Sequence, residues 1–254
     1  MGLLENKTAI VTGSSRGIGA DVAKILASEG AAVVVNYRQK APRANKVVQG
    51  IEADGGRAVA VGADLTTQEG VQALASAAME NFGSLDILVL NASGGMETGM
   101  GEDYALKLNR DAQVNMLNAA VPLMKEGSRV VFVTSHQAHF INTVPTMPAY
   151  EPVARSKRAG EDALRDLIPN LAEKGISLVV VSGDMIEGTV TATLLDRSTP
   201  GAIEARRAEA GKLYSVEEFA QVVAGMATAD VESGHTEYAG GADYFGKGAG
   251  QASS

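Results

Sequence analysis

The sequence predicts a single α/β domain built on a doubly wound parallel sheet. Short runs rich in β-branched residues recur along the chain, and stretches with helical spacing separate them. The runs are continuously apolar, as strands buried on both faces are. At 254 residues the chain is also short enough for one hydrophobic core to serve all of it.

Strands and helices are expected to alternate along the chain. The predicted strands cover residues 8–12, 31–37, 58–63, 85–90, 129–134 and 176–181. Apolar residues three and four positions apart predict helices between them. Their stripes consist of Ile18, Val22, Ile25 and Leu26, of Val71, Leu74, Ala75 and Ala78, and of Met116, Leu117, Ala120 and Leu123. This alternation is typical of βαβ units.

Two segments depart from the alternation. Residues 187–213 are polar and rich in Arg and Ala, and they precede a helix predicted near Ser215. A long excursion of this kind predicts a substrate loop. Residues 246–254 are rich in Gly, Ala and Ser and predict a flexible tail, so that the domain covers residues 1–245.

The composition argues against several classes of function. There are 30 acidic and 22 basic residues, a formal net charge of −8, whereas nucleic acids and anionic membranes are bound by basic surfaces. With no cysteine and three histidines, no metal site is predicted. His136 and His139 are interpreted as residues that shape a substrate pocket. Neither a membrane span nor a signal peptide is apparent, which predicts a cytoplasmic protein.

A glycine-rich turn follows the first predicted strand and opens the first helix. After Thr12 it reads Gly13-Ser14-Ser15-Arg16-Gly17-Ile18-Gly19. Backbone N–H groups at a helix N-terminus attract phosphate, and glycine lets the backbone approach it closely. The glycines at this place in a βαβ pattern therefore predict a nucleotide-binding turn.

The turn and a series of later motifs resemble those of the short-chain dehydrogenase/reductase family. The resemblance extends from Lys7 to about Tyr244. The later matches, in chain order, are Asp64, Leu65, Asn91, Ala92, Ser93, Asn109, Ser135, Tyr150 and Lys157. Membership would imply a Rossmann-like sheet and hydride transfer with a nicotinamide cofactor.

The resemblance also implies roles for individual residues. Asp64, followed by Leu65, would hydrogen-bond the adenine amino group, and Asn91 would lie along the cofactor. Asn109 would bind a water or a backbone group in a proton relay. The segment after the sixth strand lacks the proline that the family has beside the nicotinamide. The residues carried over from that segment as cofactor contacts are Ile186 and Thr189.

The end of the second strand favours NADP(H) over NAD(H). An acidic residue there usually binds the free ribose hydroxyl, and a basic residue the 2′-phosphate. This strand ends Asn36-Tyr37-Arg38, without a carboxylate, and Arg16 in the glycine turn could face the same phosphate.

Tyr150 and Lys157 are the central catalytic candidates. Reduction of a polar double bond develops negative charge on an oxygen, which a tyrosine can protonate when a lysine lowers its pKa. Val153 stands four residues before Lys157, where the family usually has its tyrosine, so the spacing is Y-x6-K. This spacing resembles the NADPH-dependent enoyl-[acyl carrier protein] reductases. Pro152 suits a first helical turn and places Tyr150 just before the helix. Ser135 follows the fifth strand, where the family has its serine.

The sequence thus predicts an NADPH-dependent oxidoreductase that transfers a hydride to an activated C=C or C=O of a small molecule, with an enoyl thioester as one candidate substrate. A 3-ketoacyl or carbonyl reductase and a non-catalytic NADP-binding sensor are the alternatives. The family commonly forms tetramers. Small residues on two helices predict the faces of a homotetramer or homodimer, namely Ala112, Ala119, Ala120, Ala154 and Ala159.

Overall fold

A computed structural model describes residues 2–96, 99, 101 and 103–244 of the chain. The described residues form one sheet of seven parallel strands in the order β3-β2-β1-β4-β5-β6-β7. Helices cover both of its faces, which confirms the doubly wound α/β class. The tail predicted at 246–254 lies outside the described residues.

Each of the predicted strands is present, and a further strand follows them at the sheet edge. The strands are β1 (Thr8–Val11), β2 (Ala32–Tyr37), β3 (Arg57–Gly62), β4 (Leu85–Leu90), β5 (Met124–Ser135), β6 (Ser177–Gly183) and β7 (Thr236–Ala239). β7 has only four residues and little apolar character, so no strand was predicted there. It pairs with β6 in parallel.

The helices alternate with the strands as expected. They are α1 (Gly17–Ser28), α2 (Ala41–Ala53), α3 (Gln68–Phe82), α4 (Tyr104–Leu106), α5 (Ala112–Ala120), α6 (His136–His139), α7 (Glu151–Arg165), α8 (Ile168–Ala172), α9 (Val190–Ser198), α10 (Ala202–Ala210) and α11 (Val216–Gly225). A π-helix (Lys107–Asp111) joins α4 to α5, and a 3₁₀ turn (Val121–Leu123) follows α5. In the described part of the chain, no helix has the length and apolar character to cross a membrane.

The strands are buried on both faces because each face carries its own apolar layer. Val33 and Val35 of β2 pack in the layer that contains α1 and α11. Val34, which points the other way, packs in the layer that contains α3 and α5. Successive strand residues point to opposite faces, so a continuously apolar run serves both layers.

The strand order reverses direction between β1 and β4. From β1 the sheet extends through β2 and β3 on one side and through β4 and β5 on the other. Ligands of doubly wound sheets bind at this switch point, beyond the carboxyl ends of the strands. The glycine turn after β1 and the segment beginning at Asn91 after β4 both lie there.

The polar segment at 187–213 contains two helices that the sequence did not predict, while its role as a substrate loop stays a prediction. It contains α9 and α10. The Thr189 side chain accepts the backbone N–H of Ala192 and so caps α9. Arg206 and Arg207 of α10 form ion pairs with acidic side chains instead of standing free in solvent. The segment has few apolar residues, so it shows no clear helical periodicity in the sequence.

Most of the predicted interface residues are buried within the single chain. Ala112, Ala120 and Ala154 are at most 1% exposed in the single chain, so they cannot contact a second copy. Ala119 and Ala159 remain half-buried. The prediction that the three buried alanines form an interface between copies of the chain is therefore wrong. Homo-oligomerisation itself stays a prediction.

Candidate active site

The glycine turn lies between β1 and α1, with its backbone packed against the segment after β4. Gly13 and Gly17 have φ of +62° and +55°, in the left-handed region that favours glycine. A Cβ on Gly19 would lie 2.6 Å from Nδ2 of Asn91 and 2.7 Å from the carbonyl oxygen of Gly13. The first N–H groups of α1 have no partner within the helix, so the turn can present donors to an anion.

Ser14 and Asn36 hold the turn against the end of β2. The backbone N–H of Gly13 donates to Oδ1 of Asn36 at 2.9 Å, and the backbone N–H of Asn36 donates to Oγ of Ser14 at 2.9 Å. Asn36 also donates from Nδ2 to the carbonyl of Ala63, and its side chain is buried. Both were predicted as cofactor-binding residues, and in the structure their side chains fix the shape of the turn.

Thr12 connects the turn to β4 and was not among the predicted site residues. Its Oγ1 accepts the backbone N–H groups of Asn91 and Ala92, each at 2.9 Å. The Asn91 side chain donates back to the carbonyl of Thr12 at 3.0 Å. The only sequence signal for this role is the position of Thr12 immediately before Gly13.

The residues predicted to contact adenine lie just after β3. Oδ1 of Asp64 accepts the backbone N–H and the hydroxyl of Thr66, at 2.9 and 2.7 Å, which orients the carboxylate. Leu65 is 5% exposed and packs in the layer of α3. Leu65 thus lies in the core, while Asp64 is half-buried at the surface.

Arg38 lies beyond the end of β2 and contacts Tyr104, the first residue of α4. Its Nη1 donates to the Tyr104 hydroxyl, and its Cζ lies 5.6 Å from the centre of the Tyr104 ring. Arg16 is the exposed residue before α1, and the Tyr37 ring covers Gly62. Tyr104 was not predicted, because nothing local to it in the sequence points to Arg38.

Ser135 and Tyr150 bring two hydroxyl groups together at the carboxyl end of β5. Ser135 ends this strand, and its Oγ lies 3.3 Å from the Tyr150 hydroxyl. Tyr150 immediately precedes α7, whose first turn contains Pro152, and it is 4% exposed. The two hydroxyl groups are thus adjacent to each other and border an apolar cluster of side chains.

Lys157 lies on α7, seven residues after Tyr150. Seven residues are two helical turns to within about 20° and about 10.5 Å of rise, so Lys157 lies on the face of α7 that continues from Tyr150, two turns further along. Lys157 is 8% exposed, which is uncommon for lysine. Val153, one turn before it, is buried and packs in the same apolar cluster as Tyr150.

Asn109 lies within the π-helix, a form that often marks functional sites. Its side chain bonds both backbone groups of Gly94 and donates to Oγ of Ser156, at 2.8–3.1 Å. A Cβ on Gly160 would lie 2.0 Å from the carbonyl oxygen of Asn109, so α7 lies directly against the π-helix. The side chain of Asn109 thus joins three segments of the site, and Ser156 is a site residue that sequence reasoning missed.

His136 connects the ends of three strands instead of lining a pocket. Nε2 lies 3.0 Å from the carbonyl oxygen of Gly240, and Nδ1 lies 2.8 Å from Oγ of Ser182. Burial lowers the pKa of His136, so the ring is neutral. Since a carbonyl only accepts, the proton is on Nε2, and Nδ1 accepts from Ser182.

His139 also has a structural partner. Its Nδ1 lies 2.8 Å from Oε1 of Glu161, and its Nε2 lies 3.0 Å from the Tyr238 hydroxyl. Burial alone would raise the pKa of Glu161, but the hydrogen bond and charge of His139, together with Arg165, lower it overall. The fully buried His136 therefore does not line a pocket, whereas a pocket role for the half-buried His139 stays a prediction. Among the described residues, no group of three or more His, Asp or Glu is arranged to hold a metal.

An apolar cluster surrounds Tyr150. Its buried members come from α6, α7, α9 and the segment after β6, and Met185, Ala192 and Leu195 are among them. Met96 and Met147 are half-buried and pack against the cluster. Methionine side chains adapt to irregular apolar shapes, and these two are the methionines of the cluster that remain partly exposed.

Asp184, which directly precedes Met185 of this cluster, has its charge neutralised by Arg206. Arg206 of α10 donates to both carboxylate oxygens of Asp184 and of Asp243, at 2.6–3.0 Å. Its guanidinium also lies 4.8 Å from the centre of the Tyr244 ring. Asp184 replaces part of the family's Pro-Gly turn, and this ion pair fixes it to α10.

The residues carried over as nicotinamide contacts differ in their surroundings. Ile186 is 7% exposed and packs in the layer of α11. Oγ1 of Thr189 donates to the carbonyl of Ile186 and accepts from Ala192, so it is occupied by the cap of α9. Ser93 is exposed beyond β4.

The geometry thus places the Ser135 and Tyr150 hydroxyls together at the carboxyl edge of a doubly wound sheet, with the buried Lys157 on the adjoining α7. Residues 7–198 match the short chain dehydrogenase family. This match covers more than half of the chain, so the protein belongs to the short-chain dehydrogenase/reductase family. It is an oxidoreductase of that family.

Solved structures and relatives are similar over most of the chain. A short chain dehydrogenase from Burkholderia cenocepacia in complex with NADP has a TM-score of 0.79 and 30% identity, covering 93% of this chain and 97% of that one. An angucycline C-6 ketoreductase with bound NADP has a TM-score of 0.77 and 30% identity, covering 93% and 95%. A 1-cyclohexenylcarbonyl-CoA reductase of Streptomyces collinus is 34% identical over 71% of this chain and 65% of its own length.

Proposed function

We propose that this enzyme uses NADPH to reduce the carbonyl group of an apolar small molecule. The observation that carries the proposal is the 3.3 Å separation of the Ser135 and Tyr150 hydroxyls. Two donors this close can both reach one substrate oxygen. Hydride addition to a carbonyl places the developing charge on that oxygen, where such donors stabilise it.

The residues present fit a bound NADP(H). The glycine turn leaves no room for side chains at Gly13 and Gly19, and the start of α1 offers backbone donors to the pyrophosphate. Arg38 follows β2, where no acidic residue competes for the ribose. When bound, the reduced nicotinamide supplies the hydride. The relatives crystallised with NADP support this choice of cofactor.

Each catalytic side chain then has a defined task. Tyr150 gives its proton to the carbonyl oxygen while the carbonyl carbon accepts the hydride, so the product is the alcohol. Ser135 donates a hydrogen bond to the same oxygen. Lys157 lies on the face of α7 that continues from Tyr150, and its positive charge favours the tyrosinate that forms.

The surroundings of Tyr150 support an apolar substrate. The methionine-containing cluster packs against it, and Arg206 is saturated by Asp184 and Asp243, so it is not available to a carboxylate or phosphate of the substrate. A hydrophobic ketone could bury its surface here without leaving a charge unpaired.

Reduction of an enoyl thioester is the second candidate. It is favoured by the seven-residue spacing of Tyr150 and Lys157 and by the relative named as a cyclohexenylcarbonyl-CoA reductase. The experiment compares NADPH oxidation with a bicyclic aromatic ketone, an acetoacetyl thioester and a crotonyl thioester. We expect the highest kcat/KM with the ketone. Turnover of the crotonyl thioester alone would contradict carbonyl reduction and establish the second candidate.

Gly19→Ala is expected to weaken the binding of NADPH and NADH alike. The new Cβ would lie 2.6–2.9 Å from Asn91, Gly13 and Ser14, two of these contacts being to backbone atoms, so the turn must move. Overpacking of this kind costs about 1–3 kcal/mol, or roughly fivefold to 150-fold in affinity. Titration of cofactor fluorescence measures it. Gly50→Ala on α2, with no atom within 4 Å of the new Cβ, is the matched control and should change neither affinity.

Arg38→Ala is expected to lower the affinity for NADPH selectively. A hydrogen bond to a charged group contributes about 1.5–3 kcal/mol, so the loss should be about tenfold or more. NADH lacks the 2′-phosphate and should bind as before. Arg16→Ala should act in the same direction. Equal losses for the two cofactors, measured by the same titration, would show that Arg38 supports the fold and not the phosphate.

A further inference from the structure

Tyr104 holds the arginine that the proposed function assigns to the 2′-phosphate. Arg38 is exposed at the end of β2, and Tyr104 is half-buried at the start of α4, 66 residues further along the chain. The guanidinium donates from Nη1 to the Tyr104 hydroxyl and lies against the ring, with Cζ 5.6 Å from its centre. One residue, Tyr104, therefore holds this flexible side chain through its hydroxyl and the neighbouring ring.

These contacts reduce the freedom that Arg38 would otherwise lose on binding a phosphate. An exposed arginine has many rotamers, and a guanidinium already fixed in place loses less conformational entropy when it binds. The hydrogen bond to Tyr104 uses Nη1 and leaves the edge formed by Nε and Nη2. This edge presents two parallel N–H groups, which suits bidentate contact with two phosphate oxygens.

We infer that Tyr104 is a positioning residue that sets the preference for NADPH by holding Arg38 in a phosphate-binding orientation. The inference rests on the proposed use of NADPH, and it assigns Tyr104 no contact with the reacting atoms. If Tyr104 instead competed with the phosphate for Arg38, its removal would tighten NADPH binding. The unused Nε–Nη2 edge favours support over competition.

A double-mutant cycle tests this inference by cofactor binding, without any substrate. The dissociation constants of NADPH and NADH are measured for the wild type, Tyr104→Phe, Arg38→Ala and the double variant. Tyr104→Phe keeps the ring and removes the hydroxyl, and we expect it to weaken NADPH binding about threefold to tenfold and leave NADH unchanged. In the Arg38→Ala background the same change should have no further effect.

Three results would overturn the role of Tyr104: tighter NADPH binding in Tyr104→Phe, equal losses for both cofactors, or losses that add in the double variant. Tyr238→Phe is the matched control, because its hydroxyl contacts His139 beside β7, at the opposite edge of the sheet from β3. It should change neither constant. A wild type without preference for NADPH would contradict the proposed cofactor. A preference that Arg38→Ala removes and Tyr104→Phe retains would contradict only the role of Tyr104.

Discussion

Tyr150→Phe should lower kcat for carbonyl reduction by at least about 100-fold, since general acid catalysis contributes roughly 10²- to 10⁴-fold. The substitution removes the proton donor and keeps the ring that packs in the apolar cluster. Ser135, whose Oγ is 3.3 Å from the lost hydroxyl, can still donate a hydrogen bond to the substrate oxygen. It cannot replace Tyr150 as the proton donor. The measurement is steady-state NADPH oxidation with the best ketone substrate.

The fold and the cofactor site serve as internal controls for this variant. The dissociation constant of NADPH and the melting temperature should stay close to those of the wild type, because the ring is retained. Tyr214→Phe, at a tyrosine whose ring contacts Lys212, should keep full activity. A Tyr150→Phe enzyme with more than a tenth of the wild-type kcat would rule out Tyr150 as the acid.

Arg206→Ala should destabilise the fold by about 3–5 kcal/mol, the usual cost of leaving a buried charge without its partner. The Arg206 side chain is 11% exposed and that of Asp184 is 4% exposed. Burial opposes the charged guanidinium, but hydrogen bonds to Asp243 and Asp184 raise the pKa of Arg206 overall. In a chain of this size the melting temperature should fall on the order of 10 °C.

The neighbouring arginine provides the comparison for this loss. Arg207 forms its ion pairs with Glu187 and Glu204 at the surface, so Arg207→Ala should have a much smaller effect on the melting temperature. Adding Asp184→Asn to Arg206→Ala should recover part of the stability, because it removes one of the stranded carboxylates. Equal melting temperatures for the two alanine variants would show that the buried ion pair does not stabilise the fold.

The sheet could be predicted because its strands are apolar on both faces. Runs such as 31–37 and 85–90 carry this signal locally, whereas β7 does not. Its four residues become a strand because β6 provides an edge with which they pair. The helices at 187–213 were missed because they carry few apolar residues, and part of their charge is paired with residues distant in sequence, such as Asp184 and Glu187.

The sequence predicts individual candidate residues of the site but not the contacts among them. The glycines, Tyr150 and Lys157 stand in recognisable spacings. The roles of Thr12, Ser156 and Tyr104 depend on partners far away in sequence, such as Asn91, Asn109 and Arg38. A single sequence carries no sign of these pairings, because each arises only when segments distant in sequence pack together.

The contact between Gly160 and the π-helix sets how closely α7 packs against Asn109. A glycine inside a helix is unfavourable by about 1 kcal/mol relative to alanine, yet any larger residue would meet the Asn109 carbonyl oxygen, 2.0 Å from the position of its Cβ. A helix moves as a rigid rod over a few turns, and Lys157 precedes Gly160 by about 4.5 Å of rise. A displacement of α7 at this contact would therefore move Lys157 and Tyr150 together. The backbone contact between Gly160 and Asn109 thus sets the distance of both residues from the sheet.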